Sequence, residues 1–289
     1  MKVSIFGYYG QGNIGDEALL KALIVGLKSV FPSVEIAAYS GKPEETEKYH
    51  DSIKAFNFFP MTFLGAIKGL IKNNRKDMMM SFLNIIKSDV VIVGGGGLFF
   101  DTQDTNKWML NYLKIIRVSL FLRKSVNVIG VSIGPLHHQH SRDEIGRVFS
   151  RVNLITVRDI MSKDELVACG VNENKIYVLP DLVFSLSQSE LLESERYNRK
   201  YLQEPSKNVI RIAIAPATHN ESNPDWVRQY KSLINNLILD YKCELIFLPF
   251  QQSSSLNDLK AINRLTDGVG VEDRKKISIA SSKGIGEIY

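Results

Sequence analysis

Four stretches of the 289-residue chain bring reactive groups together with bare main chain. Residues 7–17, GYYGQGNIGDE, set four glycines ahead of two acids, Asp16 and Glu17. Glycines permit tight turns and let a backbone come close to a ligand. Free N–H groups at a helix start attract an anion or a polar sugar. Gly10-Gln11-Gly12-Asn13-Ile14-Gly15 fits G-x-G-x-x-G literally, but a dinucleotide site needs an acid at the end of the second strand. That strand closes as Ala38-Tyr39-Ser40-Gly41, without one. Asp16 either faces a ligand with Gly10, Asn13 and Gly15 or, with Glu17, caps the helix and favours its dipole.

The second stretch, GGGGLFFD at 94–101, follows an apolar run and is expected as a loop beyond a strand's C-terminal end. Ligands of doubly wound sheets bind beyond those ends. Four successive glycines lose much chain entropy on folding, which favours a binding loop over a purely structural turn. Gly95, Gly96 and Gly97 are therefore candidate contacts, and Asp101 is expected to project into the crevice as an acid, a base or a hydroxyl-binding group. The third stretch runs from Ser132-Ile133-Gly134-Pro135 into His137, His138 and His140. HHxH is not a usual ligand spacing and no carboxylate stands nearby, so a solvated loop is expected rather than a metal site. The fourth is Thr156-Val157-Arg158-Asp159. A guanidinium at a strand end suits a carboxylate or phosphate. An Arg158–Asp159 surface pair, or Asp159 as a helix cap, explains the same residues.

The elements that must hold these groups are short, β-branched runs at 3–6, 34–39, 90–93, 126–133, 154–157, 176–179, 211–215, 245–248 and 277–280. Most are continuously apolar, as parallel strands covered on both faces are. Helical spacing separates them, as in Ala18, Leu19, Ala22, Leu23 and Val30. The alternation predicts a parallel, doubly wound α/β sheet. A polar stretch at 188–207 marks the expected boundary, giving domains at 1–190 and 205–289, the second too short to be complete.

Composition narrows the class. Apolar residues make up 44% and charged residues 23%, and the net charge is +5 with no basic block, so nucleic acid is not the expected partner. The two cysteines, Cys169 and Cys243, lack metal or disulfide spacing and fit a reducing compartment. Neither a signal peptide nor a spanning segment is legible, so the cytoplasm is the expected location. Residues 61–72 and 108–124 are amphipathic and basic; they either pack on the sheet or rest on the inner face of a membrane.

Taken together, GYYGQGNIGDEALL at 7–20, GGGGLFFD at 94–101, VSIGP at 131–135, TVRDIMSKDEL at 156–166 and PDLVF at 180–184 resemble the polysaccharide pyruvyltransferase family, over residues 3 to about 250. The resemblance implies two Rossmann-like domains in the glycosyltransferase-B manner. It also implies transfer of pyruvate from phosphoenolpyruvate to a sugar or lipid-linked glycan; no cofactor is expected, and the residues give no sign of a metal. By motif position it implies catalytic roles for Asp101 and Arg158, and a cleft lined by the first glycine loop with Asn13 and Asp16. The family's later Arg-Leu-His motif does not occur in these residues, so either a further segment or lost activity is expected. A nucleotide-sugar glycosyltransferase and a non-catalytic glycan-binding remnant are the alternatives on the same architecture.

Overall fold

The computed structural model describes residues 1–58, 75–187, 209–216, 223–253 and 257–280. The amphipathic run at 61–72, the polar stretch at 188–207 and the last nine residues lie outside them. The chain forms two compact units, one of Met1–Gly10 with Asp16–Leu186, the other of Gln11–Gly15 with Ser187–Tyr289.

The first unit holds seven parallel strands: β1 (Lys2–Phe6), β2 (Glu35–Ser40), β3 (Lys54–Asn57), β4 (Val90–Phe99), β5 (Ser125–Ile133), β6 (Leu154–Val157) and β7 (Ile176–Val178). Their spatial order is β3-β2-β1-β4-β5-β6-β7, so the chain reverses its direction of travel between β1 and β4. Around the sheet lie α1 (Ile14–Val30), α2 (Pro43–Tyr49), α3 (Arg75–Lys87), α4 (Lys107–Phe121), α5 (Gln139–Phe149) and α6 (Ile160–Ala168).

The continuous apolar runs have a direct cause, since successive residues of a strand point to opposite faces. Val91 and Val93 enter a core with Met109, Leu113 and Phe149, whereas Ile92 between them enters a second core with Leu20, Leu23 and Ile24. Each face is covered, so neither can be polar. The same packing decides the reading of 108–124. Met109, Tyr112, Leu113, Ile115 and Ile116 of α4 are buried against the sheet. Strand β3 escapes the sequence pattern because it is a four-residue edge strand, Lys-Ala-Phe-Asn, whose side chains are only half-buried or exposed.

The second unit holds a smaller parallel sheet, β8 (Arg211–Ile214), β9 (Glu244–Phe247) and β10 (Ile277–Ile279), in the order β10-β9-β8. Helices α7 (Pro224–Leu239), α8 (Asp258–Thr266) and α9 (Val271–Arg274) accompany it, and Ile234, Ile238, Leu245, Phe247, Ile262 and Leu265 form its core. Among the described residues no helix is long and apolar enough to cross a membrane.

Candidate functional site

In the first unit the sheet's C-terminal edge at the β1/β4 reversal is where doubly wound folds bind ligands. The tetraglycine run reaches it as a strand, not as a loop. Beyond Val93, β4 keeps its pairing with β5 through Gly94–Ile129, Gly96–Val131 and Gly97–Ser132. Glycine is required by what lies against this strand. At Gly96, where φ is +84°, an added Cβ would stand 2.8 Å from Asp16 Oδ1; at Gly94 it would stand 2.5 Å from the Ile129 carbonyl oxygen. Helix α1 thus packs directly onto bare backbone and delivers Asp16 to the sheet edge. Gly97 alone of the four is exposed.

Asp16 is half-buried. Burial pushes its carboxyl up to about 7; the neighbouring Glu17 and Asp181 push the same way, and Arg158 opposes them. Arg158 is therefore within electrostatic reach of Asp16. Its Nε and Nη2 donate to Ser132 Oγ at 3.1 and 2.9 Å, and its Nη1 donates to Asp181 Oδ2 at 2.6 Å. The cation enters the site already paired. Asp159 takes the other part that its sequence allows, accepting the Ser162 N–H at 2.7 Å as the cap of α6 and a hydrogen bond from Ser132 Oγ.

Asp101 sits differently from the expectation of a group projecting into the crevice. It is 1% exposed, and its carboxylate accepts the backbone N–H groups of His137 at 2.5 Å and His138 at 3.2 Å. Burial raises its carboxyl, but hydrogen bonds from Ser141, His137 and His138 outweigh that and hold it below the ordinary range. Asp101 therefore ties the end of β4 to the turn that starts α5. In that turn His137 is exposed and the His138 ring bonds the Thr102 carbonyl, while His140 is exposed in the first turn of α5.

Residues 7–17 divide. Tyr9 is buried, and its hydroxyl donates to the Gly94 carbonyl at 2.7 Å. Gly10, with φ +67°, donates its N–H to Glu17 Oε1 at 2.6 Å, and Glu17 Oε2 meets His50 Nε2 at 3.1 Å. Glu17 and His50 are both buried, so Glu17 holds the loop rather than the helix dipole. Removing Glu17 leaves the buried Gly10 N–H and the His50 ring nitrogen without their partner, which costs about 2–6 kcal/mol together. Glu17→Ala is accordingly expected to lower stability by about that much in urea unfolding, and Glu17→Gln by less because it keeps the Gly10 bond. Gln11–Gly15 belongs to the second unit. There Asn13 bridges Gln251, Ile14 N–H donates to the Phe250 carbonyl and Gln252 N–H to the Gly12 carbonyl at 2.7 Å. Asn13 Oδ1 accepts the Gly15 N–H at 2.9 Å.

Of the sequence candidates, Gly96, Asp16 and Arg158 gather in the first unit, with Gly95 packed on Leu19 of α1 and Gly97 paired to Ser132. Asn13 and Gly15 are built into the second unit, and Asp101 serves the α5 turn. Sequence reasoning missed the roles of Asp181, Ser132, Glu17 and His50. Asp181 had a signal, since Pro180-Asp181-Leu182 closes β7 at the same sheet edge, but nothing local tells that its partner is 23 residues earlier. Among the described residues no group of three or more histidine, cysteine or acidic side chains is arranged to hold a metal ion.

Residues 13–280 match the family model described as polysaccharide pyruvyl transferase. The amylovoran biosynthesis protein AmsJ of Erwinia amylovora is 24% identical over 237 residues, which is 74% of this chain and 56% of AmsJ. The chain thus spans little more than half of that relative. Among solved structures, the UDP-GlcNAc 2-epimerase of Methanocaldococcus jannaschii aligns with a TM-score of 0.60 at 18% identity, over 99% of this chain and 75% of its own. The UDP-GlcNAc 2-epimerase of Neisseria meningitidis aligns at 0.58 and 16%, over 96% and 72%. At such identities the likeness is one of fold.

Proposed function

The chain belongs to the polysaccharide pyruvyl transferase family, and from that premise we propose that it transfers pyruvate from phosphoenolpyruvate to two hydroxyls of one sugar in a cell-surface polysaccharide, giving a cyclic ketal. The observation that carries this reading is a carboxyl held near pH 7 beside a guanidinium, over a strand of bare main chain at the β1/β4 reversal.

The chemistry asks for a proton on the methylene carbon of the donor, which leaves an oxocarbenium-like centre at the carbon bearing phosphate. A sugar hydroxyl attacks that centre and gives up its proton. The carbon–oxygen bond to phosphate breaks, and a second hydroxyl closes the ring, losing its own proton. One group that is half protonated at neutral pH suits both directions of proton transfer. Asp16 is that group in our reading. Arg158, held by Ser132 and Asp181, contacts the donor carboxylate, with the Gly97 main chain beside it. Asp101 is a positioning residue that fixes the turn at 135–138. Asp181 already balances Arg158, so the remaining charge of the donor must be met by cations outside this cluster. A reaction that consumes phosphoenolpyruvate belongs in the cytoplasm, and its acceptor is met there, free or lipid-linked.

The test is phosphate release from phosphoenolpyruvate that depends on an added glycan, with an acid-labile pyruvate ketal found on the product by mass spectrometry. Turnover of a nucleotide sugar in place of phosphoenolpyruvate would replace this reading with the glycosyltransferase class.

A further inference from the structure

Strand order lays out the sheet edge of the first unit as a sequence of chemistries. Tyr8 follows β1, Gly96 and Gly97 lie on β4, Ser132 on β5, Arg158 after β6 and Asp181 after β7. The guanidinium is at one end. At the other end stands an aromatic pair that the chemistry above does not use. Trp108, the second residue of α4, remains 38% exposed although Met109 and Tyr112 beside it are buried. Its indole is held edge-to-face by Tyr8 at 5.4 Å and by Tyr112 at 5.8 Å. Two flanking rings fix the indole before anything binds, so little side-chain entropy is left to lose on binding.

Tyr8 links the pair to the acid. Its hydroxyl is pushed up by burial and by the charge of Asp16, and Tyr112 feels the same charge. The charged groups facing Asp16 are Glu17, Arg158 and Asp181, two acids against one base. Such a neighbourhood offers carboxylate oxygens to hydroxyl donors. A ligand with an apolar face and a rim of hydroxyls satisfies both halves, the ring face on indole and the hydroxyls on carboxylate.

We propose that Trp108 and Tyr8 form the platform for the acceptor's pyranose ring, setting the hydroxyls to be ketalised against Asp16 while the donor lies toward Arg158. This rests on the reading above in taking the occupant to be the acceptor. It assigns acceptor recognition to residues separate from those that hold the donor.

The chain has two tryptophans, so Trp226→Phe leaves Trp108 as the only indole reporter. In that background the probes are the methyl pyranosides of glucose and galactose, their N-acetylamino counterparts, and oligosaccharides cut from the host's own surface polysaccharide. At least one is expected to give a saturable change in emission. Trp108→Ala is expected to raise the acceptor KM, or the Kd read by calorimetry, by about tenfold or more, leaving the KM for phosphoenolpyruvate within about twofold. Trp108→Phe, which keeps a ring in the same place, is expected to recover most of that loss and guards against misfolding as the explanation. Unchanged acceptor affinity in Trp108→Ala, or an effect on the donor KM alone, overturns the platform while leaving the transfer reaction intact. Trp108-dependent sugar binding without turnover of phosphoenolpyruvate upholds the platform and removes the reaction.

Discussion

Asp16→Asn is expected to cut turnover by about 100- to 10,000-fold, the usual range for losing a positioned acid–base group, and at the same time to make the protein more stable. The two effects have one cause. Folding raises the Asp16 carboxyl from 3.8 to about 7, so the folded protein resists ionisation that the unfolded chain undergoes freely. Below pH 3.8 both states are protonated, and the residue costs nothing. As the pH climbs from there towards 7, the unfolded state sheds its proton first and stability falls. Above about 7 both states are ionised and the cost levels off, on the order of 2–4 kcal/mol for this half-buried group. Asparagine carries no such cost. The stability gained by the variant should therefore grow between about pH 4 and 7 and stay flat above, as read from urea midpoints across that range. A variant that is slow, with a gain independent of pH, would mean that Asp16 acts by shape and not by proton transfer.

Arg158→Ala is expected to lower kcat/KM for phosphoenolpyruvate by roughly 30-fold to several-thousand-fold, equivalent to about 2–5 kcal/mol for a desolvated charge contact. The fold should tolerate the change, because Asp181 and Arg158 are both about a quarter exposed and water can replace the lost partner. Arg158→Lys should recover little. A single ammonium cannot reproduce a fork that grips Ser132 with Nε and Nη2 while Nη1 holds Asp181. Steady-state phosphate release separates the outcomes. A loss smaller than about threefold in both variants would confine Arg158 to holding β5, β6 and β7 together.

Most of the fold was legible because burial on both faces writes itself into consecutive residues, as at Val91, Ile92 and Val93. The places where the pattern failed are those where the cause lies across space. Nothing between Val93 and Leu98 tells that β5 continues to pair with Gly94, Gly96 and Gly97, or that the empty volume beside Gly96 is taken by Asp16. Asp101 read as a reactive acid because it ends a glycine-rich motif, yet the N–H groups it binds lie 36 and 37 residues away. Glu17 read as a helix-end charge, and its partner His50 is 33 residues on. Local spacing reports which face a residue takes. It does not report which side chain from another element will meet it there.

The pentapeptide at residues 11–15 has a practical corollary for anyone dividing this protein. Its hydrogen-bonding companions, Phe250, Gln251 and Gln252, come some 240 positions later in the sequence. No single cut therefore yields the two units intact: residues 1–186 expressed alone would carry five residues stripped of their neighbours, and the remainder would lack them. Chimaeras that exchange the later portion between relatives should work only when these five residues travel with it, a dependency that swapping by linear boundaries would overlook.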